Sequence, residues 1–239
     1  MYSDLVIKSP YNFYLRILTS RHLKIKMADA KTLLLTLQNM DNKTFIEEIN
    51  KHCHPKKLPS DKDRINTYTG EYKKILNHFN IKSTSYLDFG CHHGLISYSI
   101  GQLLNVKADG IDIINYSTSL INYYQYDGHQ LPNTKKYDFI TIHQVLHHIE
   151  HYDILPQLLD QLLPNGYLLV KEHDQYNSEM KLLIELQHEF YSHQDLMPIF
   201  SLKSKKDWKK LFKKLGLNYV NELVLKDPTA SFYMLFQKP

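Results

Sequence analysis

From residue 85 onward, apolar runs of strand length alternate with helix-length segments, and this alternation restricts the fold more than any other feature. The order is "SYLDFG", "GLISYSIGQLL", "KADGIDI", "STSLINYY", "YDFITIHQV", "DILPQLLDQLL", "GYLLVKEHD", a long helical stretch near 176–192, and "SKKDWKKLFKKLGL". Strands that alternate with helices form βαβ units, so the pattern predicts a parallel sheet with helices on both faces. The last two runs, "YVNELVL" and "SFYMLFQK", are joined by "KDPTA". A short proline-containing turn of that kind predicts an antiparallel hairpin at the sheet edge. Six of the eight glycines lie between Gly90 and Gly166, which concentrates the tight turns in this part of the chain.

The first 69 residues contain no glycine and read as helical. "ADAKTLLLTLQNM" carries a dense leucine stripe, and Thr44 with Glu47 forms a capping box. "HPKKLPSDKD" (54–63) reads as a linker, and "TGEYKKILNHF" (69–79) as a further helix. The expected organisation is therefore a helical extension over 1–65, serving as a lid or recognition segment, and an α/β domain over 66–239.

Composition adds mainly exclusions. Of the 239 residues, 43% are apolar and 23% charged, and no apolar run approaches the ~18 residues of a membrane span. The N-terminus lacks the apolar core and small-residue cleavage site of a signal peptide. Cys53 and Cys91 give no disulfide framework. A cytoplasmic protein is expected, in which the sequons at Asn42 and Asn115 carry no sugar. The net charge of +4 permits an anionic partner without requiring one.

The first strand runs into "DFGCHHG" (88–94). In an open parallel sheet, ligands bind beyond the carboxyl ends of the strands. Gly90 and Gly94 can take positive φ there and let the backbone approach a ligand closely. Asp88 can accept hydrogen bonds from turn amides or a ligand amine. Asp112 ends "GID", where an acid is placed to hold the two hydroxyls of a ribose. Asp127, in "DGHQLP", can accept from an adenine amine.

The series "LDFGCHHG", "GIDI", "DGHQLP", "YDFITIHQVLHHI" and "LLPNGYLLVKEHD" resembles class I S-adenosylmethionine-dependent methyltransferases, in particular the type 11/12-like group. The resemblance covers about residues 65–239. It implies a Rossmann-like sheet of seven strands, six parallel and one antiparallel, with S-adenosyl-L-methionine over strands one to four. It also implies that Asp88, Gly90 and Gly94 line the methionine part, that Asp112 binds ribose and Asp127 adenine, and that His143 sits beside the sulfonium. Two positions depart from the pattern. His92 replaces the middle glycine of the turn, and Asn165 replaces a glycine before strand five. His92 either turns outward, donates to the methionyl carboxylate, or narrows the pocket.

Methyl transfer requires alignment of nucleophile, methyl and sulfur, and a base where the nucleophile carries a proton. Candidates follow strands four and five: His147 and His148, which can equally pack, and Lys171, Glu172 and His173 of "KEHD". Those last residues face solvent, the first helix or a substrate. "HCHPKK" (52–57) lacks the spacing of metal ligands, so no metal site is expected. The lysine face of 203–214 reads as solvated. The expected acceptor is a small molecule or an RNA. For an RNA cap enzyme, a Lys–Asp–Lys–Glu tetrad would be half absent: Lys73 and Lys171 are present, but His143 and Gln144 stand where an Asp is needed. A catalytically inactive scaffold or a protein partner of an active subunit is the third reading.

Overall fold

The computed structural model describes residues 59–116, 118–132, 135–176, 181, 184, 199–225 and 231–239. The leucine-striped helix, the Thr44–Glu47 box, "HCHPKK", "KDPTA" and most of 176–192 lie outside them.

Helix α1 (Asp61–Phe79) begins earlier than its apolar pattern suggests. Ser60 caps it by accepting from the Asp63 amide, and Asp61 and Asp63 in the first turn complement the positive end of the helix dipole. The "SDKD" expected in a linker is therefore a helix start, and the domain boundary expected at 65/66 falls inside α1. The compact unit begins at Pro59. Tyr72, Ile75, Leu76 and Phe79 are buried along one face of α1, at the i, i+3, i+4, i+7 spacing of an apolar stripe. Asn80, at φ 52°, closes the helix in the left-handed conformation.

Seven strands follow: β1 (Tyr86–Phe89), β2 (Asp109–Asp112), β3 (Asn122–Gln125), β4 (Tyr137–His143), β5 (Leu162–His173), β6 (Asn218–Val224) and β7 (Ser231–Gln237). They form one sheet in the order β3-β2-β1-β4-β5-β7-β6. β1 to β5 pair in parallel, and β7 runs antiparallel to both β5 and β6. The expected terminal hairpin is present, but its second strand is inserted inside the sheet and β6 forms the edge. The end of "STSLINYY" enters β3, and its described residues form no helix. The nine residues 113–121 between β2 and β3 are too few for a helical crossover.

Helices α2 (Leu95–Leu104), α3 (Ile154–Asp160) and α4 (Lys205–Lys214) and a 3₁₀ turn (Leu146–His148) complete the described elements. Side chains alternate across the sheet and divide the core in two. Leu87, Ile140, Ile142, Leu168 and Val170 pack with Leu155, Leu158, Trp208 and Phe212 of α3 and α4. Tyr86, Phe139, Leu169 and Tyr233 pack with Tyr72, Ile75 and Ile100 of α1 and α2. Among the described residues no helix is long and apolar enough to cross a membrane.

Gly110, in β2, lies beneath the β1–α2 turn. A Cβ there would stand 2.5 Å from Ile121 Cδ1 and 2.6 Å from Cys91 Sγ. Gly110→Ala is expected to destabilise the domain by about 1–3 kcal/mol through overpacking, measurable by urea unfolding.

Candidate functional site

The parallel registers bring the carboxyl ends of the strands to one edge. Phe89 pairs with both Ile111 and Ile142, Asp112 with Gln125, and His143 with Lys171. Every candidate carried by a strand end therefore lies along one line of the sheet.

The β1–α2 turn depends on close packing. Gly90 has φ 77° and Gly94 φ 75°. A Cβ on Gly90 would fall 2.2 Å from Val145 Cγ2, so the loop after β4 fixes the turn's inner side. The Gly90 amide donates to Ile111 O at 2.8 Å. His92 occupies the left-handed region at φ 49°, a conformation in which histidine is over-represented among non-glycine residues. Its amide donates to Asp112 Oδ2 at 2.8 Å. Its ring packs 4.2 Å from the rings of both His93 and Tyr116. The residue that breaks the glycine pattern thus joins the turn to the acid at the end of β2. Burial pushes the Cys91 thiol well up and keeps it protonated.

Asp112 also accepts from the Ile114 amide at 3.2 Å. Burial raises its pKa above the ordinary 3.8, against the lowering effect of these amides. Asp127 is exposed, and its Oδ1 accepts from the amides of His129 and Gln130, both at 2.8 Å. Those bonds hold its pKa low.

Asp88 is only 2% exposed. It accepts from Ser97 Oγ at 2.6 Å and Thr141 Oγ1 at 2.7 Å. Thr141 also meets the Tyr86 hydroxyl at 2.8 Å. His143 Nδ1 stands 3.4 Å from Asp88 Oδ1. That separation is an ion-pair distance without hydrogen-bond geometry, and both His143 ring nitrogens are buried without a hydrogen-bond partner. Tyr72 flanks the ring at 5.1 Å and Tyr233 at 6.4 Å. The Tyr233 hydroxyl reaches Glu71 Oε1 at 3.0 Å and the Tyr72 hydroxyl at 3.3 Å. Lys171 lies 3.7 Å from Glu71 and 5.3 Å from the Tyr233 ring. Lys73 is exposed, and the α1 residue that reaches Lys171 is Glu71.

Strand alternation separates the "KEHD" residues. Lys171 faces α1, whereas Glu172 faces the opposite core and accepts from His147 Nδ1 at 2.7 Å and the Leu146 amide at 2.8 Å. His147 and Glu172 are 0% and 1% exposed, so as placed they clamp the 3₁₀ turn Leu146–His148 rather than reach an acceptor. Packing is one of the two readings open for His147 in the sequence, whereas Glu172 meets the loop after β4 instead of solvent, the first helix or a substrate. His173 is also buried, between Gln144 Nε2 at 3.1 Å and Ser231 Oγ at 3.3 Å. His148 is half-buried, its ring 4.1 Å from that of His147. Among the described residues no His, Cys, Asp and Glu group is arranged to hold a metal ion.

Sequence reasoning missed Glu71, Tyr72, Ser97, Thr141 and Tyr233. Tyr72 carried a signal, because it lies three and four residues before Ile75 and Leu76 on the same helical stripe.

A glycine turn, a ribose-type acid and an unpartnered histidine at one sheet edge suit a nucleoside-bearing ligand. The model of the methyltransferase domain family matches residues 60–222. The chain belongs to that family. Its cofactor is S-adenosylmethionine, and the residues present fit it: Asp112 ends β2 with its carboxylate anchored by two amides, and His143 carries orphaned buried nitrogens. No curated protein matches the sequence. Solved structures share the fold of this methyltransferase. A Thermotoga maritima methyltransferase described as a possible histamine N-methyltransferase has a TM-score of 0.55 and 14% identity, over 73% of this chain and 89% of that one. Magnesium protoporphyrin IX methyltransferase from Synechocystis PCC 6803, with bound SAH, gives 0.52 and 15%, over 87% and 100%. The N-methyltransferase NodS from Bradyrhizobium japonicum WM9 gives 0.50 and 14%, over 76% and 99%.

Burial alone would push Glu172 up, but the charge of the His147 ring and its hydrogen bond outweigh this and hold the carboxyl below its ordinary 4.5. The stabilisation is therefore present above that value and is lost as pH falls through the lower folded value. Glu172→Ala is expected to cost the methyltransferase domain about 3–5 kcal/mol at neutral pH, because it removes a buried carboxylate that accepts from both His147 Nδ1 and the Leu146 amide. The difference from wild type should shrink in acid, as read by urea unfolding at about pH 7 and about pH 4.

Proposed function

We propose that this S-adenosylmethionine-dependent methyltransferase moves the methyl group to an oxygen or nitrogen nucleophile of its acceptor. The observation that carries the reading is the alignment of Gly90–Gly94, Asp112 and His143 along one sheet edge. S-adenosylmethionine, when bound, supplies an activated methyl group.

Asp112 holds the two ribose hydroxyls through its carboxylate, which the amides of His92 and Ile114 keep in place. Asp88 and the Gly90–Gly94 turn line the methionine part, where the buried carboxylate attracts the ligand ammonium. His92 serves the ribose end of the site, since its amide is bound to Asp112 and its ring stacks on Tyr116. Asp127 offers its second oxygen to the adenine amine, and His143 stands beside the sulfonium. On the acceptor side, Lys171, Glu71, Tyr72 and Tyr233 form a polar and aromatic wall. His147, Glu172 and His173 hold the loop after β4 against β5, and His148 stands at the outer side of that loop. A possible histamine N-methyltransferase and a magnesium protoporphyrin IX methyltransferase share the fold, and a small acceptor of such a kind suits this wall.

Asp112→Asn tests the cofactor site. It should weaken S-adenosylhomocysteine binding by about 10–100-fold in calorimetry, through loss of charge-assisted bonds to the ribose. Because burial raises the pKa of Asp112, its charge at neutral pH costs the folded state. The ligand-free variant should therefore melt at or above the wild-type temperature. Unchanged affinity would overturn this assignment of the ribose site.

A further inference from the structure

A buried imidazole ordinarily satisfies both nitrogens. Among the described residues, the buried side-chain nitrogens without a hydrogen-bond partner are those of His143 and Nε1 of Trp208. Trp208 belongs to the apolar core beneath α4. His143 instead ends β4 at the ligand edge, with its side chain 5% exposed.

The groups around the His143 ring come from four elements. Asp88 of β1 is 3.4 Å from Nδ1. Thr141, two residues earlier on β4, donates to Asp88 rather than to the ring. From α1, Tyr72 packs on the ring while Glu71 is engaged by Tyr233 and Lys171. Tyr233 of β7 lies edge-on, and its hydroxyl is used by Glu71 and Tyr72. Asp88 is thus the carboxylate that faces the ring. It cannot swing away, because Ser97 and Thr141 hold both of its oxygens. A fixed negative charge beside Nδ1 favours the proton on that nitrogen and leaves the lone pair on Nε2.

We infer that His143, oriented by Asp88, is the base that receives the acceptor's proton, and that the acceptor is therefore a neutral O–H or N–H group rather than a carboxylate or a thiolate. This rests on the proposed placement of the cofactor. In the step, the lone pair of the acceptor atom forms the new bond to the methyl carbon. The methyl–sulfur bond breaks with its electron pair remaining on sulfur, and the acceptor's proton passes to His143 Nε2. The imidazolium is then stabilised by Asp88 and returns its proton to solvent as the products leave.

The test needs no acceptor. Sinefungin is an S-adenosylmethionine analogue that carries an amine where the transferred methyl sits. An Nε2 lone pair at that place should bind the amine, so calorimetry should show sinefungin binding wild type about tenfold or more tighter than S-adenosylhomocysteine. His143→Leu should reduce that preference about tenfold, read as the ratio of the two dissociation constants within the same variant. A preference that survives in His143→Leu overturns the base and leaves the cofactor site standing. Failure of wild type to bind either compound overturns both. As a measurement independent of the variant's folding, the imidazole 15N spectrum of wild type with S-adenosylhomocysteine at about pH 8 should show Nδ1 protonated and Nε2 bare for His143. The opposite tautomer, or an imidazolium, overturns the inference.

Discussion

The buried carboxylate of Asp88 is the constraint around which the site is arranged. An ionised carboxylate removed from water is costly unless donors surround it. Here the donors come from two directions: Ser97 from helix α2 and Thr141 from the neighbouring strand β4. Satisfying that charge fixes the first turns of α2 over β1 and sets β1 against β4. The glycine turn lies between these fixed points. Its shape is completed by Val145, which leaves no space for a side chain at Gly90. One electrostatic requirement thus positions the turn, the helix behind it and the histidine beside it.

Much of the fold was legible because the evidence for it is local. Strand-length and helix-length apolar runs follow from backbone periodicity, and the parallel order with a terminal hairpin came directly from them. Two elements were misread for identifiable reasons. "STSLINYY" has the length and apolar content of a helix, but only the distance between two paired strands decides that it is β3. "SDKD" follows a proline and is fully charged apart from its serine, so it resembles a linker. Its serine and aspartates are nevertheless the capping signal of α1.

The site divides along the same line. Asp112 and the glycine turn were legible because backbone geometry and a strand end demand those residue types. Ser97, Thr141, Tyr72 and Tyr233 were not, because their roles arise from packing between elements distant in sequence. "KEHD" was legible only as a polar ending to a buried strand. The period of two across the sheet then sent Lys171 toward α1 and Glu172 toward the opposite core. His92 is the inverse case. Its side chain left outward turning, donation to the ligand and narrowing of the pocket all open, and its bond to Asp112 is made by an amide whose direction depends on φ, which residue type alone does not reveal.

The position of β7 has a consequence for the order of assembly. Strands β3, β2, β1, β4 and β5 can pair as a continuous parallel sheet from contacts within residues 86–173. Strand β6 then has no place beside β5, since both take β7 as their neighbour. While the chain is being synthesised, β5 remains a bare edge until residues 231–237 are available, although β6 has already been made. The half that carries the glycine turn and Asp112 can therefore form early. The half that carries Lys171, Tyr233 and the seal around His173 closes only with the last strand inserted. The proposed donor site and the proposed acceptor wall thus lie on parts of the sheet that form at different moments.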